Sequence, residues 1–103
     1  SSDLAVQESK DAITQNISEA YHALQSSLLT VQASRRKQNI AQQIVEKRET
    51  AYLNGTGSHI DLLEAKATYF EAQTDVLSTE LKAVLAGWML QVSMGSLDIS
   101  DLQ

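Results

Sequence analysis

Apolar residues recur by threes and fours through both halves of this chain. In the first half Ile13, Ile17, Ala20 or Tyr21, Leu24, Leu28 and Val31 form one stripe, the spacing of a helix that buries a single face. The stripe weakens through Gln32–Asn39 and resumes at Ile40, Ala41, Ile44, Val45, Ala51 and Tyr52. In the second half the pattern is cleaner. Leu63, Ala67, Phe70, Thr74, Leu77, Leu81, Val84 and Trp88 alternate steps of four and three, a heptad seam with Thr74 as its polar member.

Between the halves lies the one clear break, Asn54-Gly55-Thr56-Gly57-Ser58. There is no proline, so glycine is the strong punctuation, and two of the four glycines cluster here. Ser58 is placed to cap a new helix, with Asp61 three residues on as the acidic half of a capping box. Asp61 and Glu64 also put negative charge near the positive end of that helix. Gly95 predicts its end, and Gly87, costly by about 1 kcal/mol in a helix interior, suggests a close helix approach beside Trp88.

These signals predict an all-α fold: a long antiparallel, coiled-coil-like αα-hairpin. The chain reads as a single unit over residues 1–103, with a helix over about 3–53, a turn at 54–58, a helix over about 58–94 and a short tail at 95–103. Folding the chain back about Thr56 pairs each residue with one near 112 minus its own number. Arg35-Arg36-Lys37 then falls near Asp75–Glu80 as exposed ion pairs. Leu4–Ile17 is left with no partner except the Leu97–Leu102 tail. The hairpin is therefore expected to pack with other copies or other helices into a bundle or barrel.

Composition narrows the function classes. Thirteen acidic against eight basic residues give a net charge of −5, the wrong sign for a phosphate-neutralising surface, so no nucleic-acid partner is expected. The absence of cysteine excludes disulfides and Cys-ligated metal. Ser1-Ser2-Asp3 lacks the features of a signal peptide, and no apolar run is long enough to span a membrane; the chain reads as cytosolic, or as a piece of something larger. His22 and His59 lie in no metal-ligand pattern, and His59 reads as a solvated first-turn residue. The glycine-rich break lacks the GK[ST] ending of a phosphate loop. No catalytic constellation, metal site or cofactor is expected; the chain does not read as an enzyme.

The residues around the break resemble a known family. Ala51-Tyr52-Leu53-Asn54-Gly55-Thr56-Gly57-Ser58-His59-Ile60-Asp61-Leu62-Leu63-Glu64-Ala65 is similar to the helix–turn–helix of the outer membrane efflux proteins. These are the TolC-like exit ducts of tripartite pumps and type I secretion systems. The family pattern is an aromatic, two residues, Gly, a short polar stretch, then Asp-[Val/Leu]-Leu-[Asp/Glu/Asn]-Ala and a long heptad helix ending in Gly and Leu. Tyr52, Gly55, Asp61, Leu62, Leu63, Glu64 and Ala65 match it, and Gly95-Ser96-Leu97 matches the ending. The resemblance runs from about Ile17 to Leu102 and fits the second, C-terminal repeat.

The resemblance implies a fragment of a homotrimeric channel, with this segment in the periplasm and membrane contact only through parts outside the chain. It implies an adaptor (membrane fusion) protein as direct partner and an inner-membrane transporter as an indirect one. Asn54, Gly55, Thr56 and Gly57 correspond to the tip that docks the adaptor, and Tyr52, Asp61 and Glu64 to the pore constriction. Some members carry an arginine near Gly57 that pairs across the constriction; this chain does not. The alternative is a hairpin of a periplasmic adaptor or signalling protein that only binds other proteins. A signalling hairpin calls for near-strict heptads in both arms, against which the break at Gln32–Asn39 counts.

Overall fold

A computed structural model describes residues 2–102 of the chain. It is an all-α helical hairpin of two long helices, α1 (Ser2–Leu53) and α2 (His59–Asp101). Neither helix is long and apolar enough in any stretch of the described residues to cross a membrane. The chain divides into two compact units, Leu29–Glu80, which carries the turn (the tip unit), and Ser1–Leu28 with Leu81–Gln103 (the terminal unit).

In the tip unit the helices meet along a narrow, mostly small-residue seam. Val31, Ser34 and Ala41 of α1 and Leu62, Ala65, Val76 and Thr79 of α2 are buried, with Gln38, Val45, Tyr69 and Ala72 half-buried between them. The steps of three and four never slip, including across Gln32–Asn39. What weakens there is apolar content, not register: Ser34 and Gln38 hold the seam positions. Ser34 Oγ lies 2.8 Å from Thr79 Oγ1, while each hydroxyl also reaches a carbonyl one turn back, Val31 O at 2.8 Å and Val76 O at 2.9 Å. Two hydroxyl protons thus share three contacts, and either hydroxyl can donate to the other when it gives up its carbonyl. No buried side-chain polar atom of the described residues lacks a partner, which removes the main cost of polar groups in a core.

The register agrees with the fold-back. Ser34 opposite Thr79 and Arg35 opposite Glu80, the latter ion pair at 3.3 Å with both side chains well exposed, fall within a few residues of the expected pairing. The seam itself does not. Leu63, Phe70 and Leu77, expected as the heptad seam, are exposed, and the residues beside them in sequence, Leu62, Tyr69 and Val76, face α1. Taking the two stripes of α2 as heptad positions, their centres lie roughly 150° apart around the helix at about 100° per residue.

The terminal unit is looser. Its inner positions, Ile13, Ile17, Ala20, Leu24 and Ser27 on α1 and Ala83, Ala86, Leu90, Ser93 and Leu97 on α2, are half-buried. Leu81, Val84 and Trp88 of the expected seam are again exposed. Gly95 does not end the helix; α2 continues through it to Asp101. Ile13 and Ile17 are half-buried, while Leu4 and Val6 stay exposed. Gly87 marks no close approach: a Cβ built on it meets nothing within 4 Å.

Candidate functional site

The turn between the helices is closed almost entirely by backbone. Gly55 has φ of +76°, a left-handed conformation that side chains disfavour and glycine accepts. It ends α1 in a Schellman motif: Thr56 N–H donates to Ala51 O at 2.8 Å, and Gly55 N–H to Tyr52 O at 3.1 Å. Gly57 N–H and Thr56 Oγ1 also donate to Ala51 O, at 3.0 and 3.2 Å, so one carbonyl gathers three donors. Gly57 is required for a different reason. A Cβ there would sit 2.9 Å from Ala51 Cβ and 3.3 Å from Ala51 C and Tyr52 N. One glycine supplies the conformation and the other the space.

The next helix begins at once. Ser58 Oγ accepts the Asp61 N–H at 3.0 Å and Ser58 O accepts Leu62 N–H at 3.3 Å, the bonds of an N-cap. The turn therefore has no slack, and Asn54, Gly55 and Thr56 are held outward on it, exposed.

Below the turn, the residues expected at a constriction fall into two groups. Tyr52, about two-fifths exposed, places its ring 5.4 Å from that of His59, tilted by 46°. Asp61 and Glu64 instead line a shallow depression of about 150 Å³ shared with Ile44, Arg48, Ala65 and Thr68. Tyr52 does not reach it. Two residues thus join the site that sequence reasoning passed over. His59, read as a solvated first-turn residue, packs its ring on Tyr52, and Arg48 stands across from the acidic pair. The fold-back rule could have found Arg48, because 112 minus 48 is 64.

On one flank of the tip unit Ile40, Ala41, Ile44 and Ala72 floor an open groove of about 540 Å³, rimmed by Lys37, Glu71 and Asp75 together with Thr68. Its apolar floor and charged rim are suited to holding a side chain or a helix. Among the described residues no three of His, Asp and Glu gather closely enough to hold a metal ion. No protein-family model, curated protein or solved structure matches the chain.

Proposed function

We propose that this hairpin is part of a trimeric outer-membrane exit duct of a tripartite efflux pump or a type I secretion system. Its tip faces the periplasm. Asn54, Gly55, Thr56 and Gly57 dock the adaptor protein, and Tyr52, Asp61 and Glu64 narrow the pore. The function is passage without chemistry. The observation that carries this reading is that α2 has two apolar stripes on nearly opposite sides. A helix in the wall of a single-layered tube has a neighbour on each side and needs such a pair of seams, whereas a lone two-helix hairpin needs one. The slack-free turn adds support, since a docking tip gains affinity from being pre-ordered.

The test uses the full-length protein. Replacing Tyr52, Asp61 and Glu64 together by alanine should raise single-channel conductance in planar bilayers, and Thr56→Cys should form a cross-link to the adaptor. Unchanged conductance would remove the constriction. A second reading, the hairpin of an adaptor or signalling protein acting only by binding, is favoured by the unbroken seam through Gln32–Asn39 and by the groove at Ile40 and Ile44. Such a hairpin would give no conductance in any variant.

A further inference from the structure

Asn54 is the one asparagine of this chain that precedes a glycine; the other two, Asn16 and Asn39, each precede an isoleucine within α1. The difference matters because an asparagine side chain can react with the main-chain nitrogen that follows it. The Gly55 nitrogen, once its proton has gone to base, attacks Asn54 Cγ. A C–N bond forms, the side-chain amide C–N bond breaks and ammonia leaves, closing a cyclic imide. Water then opens the ring at either carbonyl. Addition at Cγ gives aspartate. Addition at the main-chain carbonyl gives isoaspartate, whose backbone runs through Cβ and Cγ. Nothing is oxidised or reduced, and water is the only co-reactant. A side chain on the following residue obstructs the attack, a branched one most; glycine has none.

The turn presents this pair and at the same time restrains it. Asn54 and Gly55 are exposed, so water and base reach both. The bonds that close the turn use backbone groups and the Thr56 and Ser58 hydroxyls, not the Asn54 amide. Ring closure requires the Asn54–Gly55 peptide to rotate about the Asn54 Cα–C bond until its nitrogen meets Cγ. In the closed turn that rotation is blocked from both sides. Asn54 N–H is held by Thr50 O at 3.0 Å, and Gly55 N–H, the proton that must leave, by Tyr52 O at 3.1 Å. Just beyond, the Thr56 and Gly57 donors on Ala51 O fix the chain again.

We propose that Asn54 is a modification site: it deamidates spontaneously, at a rate set by local opening of the turn, and its product keeps the turn open. Local opening costs less than global unfolding, and here only the last bonds of α1 and those of the turn need break. Reclosing is what the chemistry prevents. Isoaspartate adds one main-chain atom inside a turn whose donors must converge on the Ala51 and Tyr52 carbonyls at hydrogen-bond distance. Either product also places a carboxylate at the C-terminal end of α1. The helix dipole disfavours negative charge there, and no basic residue stands in the last turn to offset it. The tip thus carries a slow one-way switch from a closed turn to an open, more acidic one. This goes beyond the exit-duct reading and stands without it, since it rests on the backbone of the turn and the reactivity of one residue pair.

The test is incubation of the whole 103-residue chain in warm, mildly alkaline buffer, followed by peptide mapping in a mass spectrometer. Asn16 and Asn39 are internal controls. In guanidinium chloride the Asn54 peptide should convert at least about ten times faster than in the folded chain, while Asn16 and Asn39 change little. Gly57→Ala, whose Cβ would sit 2.9 Å from Ala51 Cβ, loosens the turn without touching the reacting pair. It should speed conversion severalfold with the helical circular dichroism retained. Leu90→Ala, which weakens the terminal unit, should leave the rate unchanged. Equal rates in the folded and denatured chain, or no conversion at Asn54 when denatured, would overturn the assignment. So would equal acceleration by Leu90→Ala, which would make the opening global. If Gly57→Ala fails to fold, the denaturant comparison and Leu90→Ala still decide the matter. The deamidated chain, separated by anion exchange on its added charge, should melt at a lower temperature than the fresh chain; an unchanged melt refutes the one-way switch.

Discussion

The tip unit and the terminal unit are made from the same two helices, and they differ in how far those helices satisfy one another. All the buried residues of the described chain belong to the tip unit. They include no side chain larger than leucine, and two are hydroxyls bonded to each other. The terminal unit has bulkier inner residues, Ile13, Ile17, Leu24, Leu90 and Leu97, yet buries none of them fully. Small residues lose little rotamer freedom when packed and let two helices close on a narrow line. Large residues need cover from more than one side. Size of side chain is thus no guide to depth of burial when only two helices are present.

The sharpest way to break the comparison is a matched pair of truncations. Leu62→Ala should cost about 2–5 kcal/mol, the range for a buried leucine, and Leu90→Ala roughly half as much, because its environment is only partly closed. Urea denaturation followed by circular dichroism at one fixed protein concentration measures both, the fixed concentration being needed if the chain self-associates. Equal losses would mean the two units are equally packed.

A glycine pair sharpens the contrast by sign. Gly57→Ala should destabilise by about 1–3 kcal/mol, because its Cβ meets Ala51 Cβ at 2.9 Å and backbone must shift. Gly87→Ala places a Cβ in open space inside a helix and should stabilise by up to about 1 kcal/mol. Thermal melts of the two variants should move in opposite directions; a shared direction contradicts the geometry.

Smaller still is the hydroxyl pair. Ser34→Ala should cost about 1 kcal/mol, and the double variant Ser34→Ala with Thr79→Val should cost less than the sum of the singles, since each hydroxyl is partly there for the other. Additive losses in denaturation would show that the 2.8 Å contact carries no coupling. Smallest is Glu80→Gln at the exposed Arg35 pair, expected below about 1 kcal/mol and fading in high salt. A salt-insensitive loss would point to packing instead.

Much of the local structure was legible from residue types alone. Asn54–Ser58 marked the turn, Ser58 the cap, and the fold-back gave the pairing of Arg35 with Glu80 to within a few residues. The end at Gly95 was misread because a single glycine costs a helix only about 1 kcal/mol, which a continuing helix with residues still to pack can absorb. The weak stretch at Gln32–Asn39 hides a continuous seam because a pattern of apolar residues is blind to Ser34, its hydroxyl bonded, and half-buried Gln38 holding the seam positions. At the tip, Asp61 and Glu64 could be named from the sequence. Arg48 lay within reach of the fold-back pairing with Glu64, whereas the packing of His59 on Tyr52 came only from the tertiary structure.

The chain by itself determined two long helices, one glycine turn and an α2 with more apolar surface than a single partner helix can cover. Which of its two stripes faces α1 was decided by tertiary structure. The Ala51 carbonyl, the Gly57 contact and the Ser58 cap leave the turn no slack, so they fix the rotation at which α2 returns. At that rotation Leu62, Ala65 and Val76 meet α1, and the more hydrophobic stripe is turned away. Periodicity gives the spacing of a seam; only the geometry of the turn gives its phase.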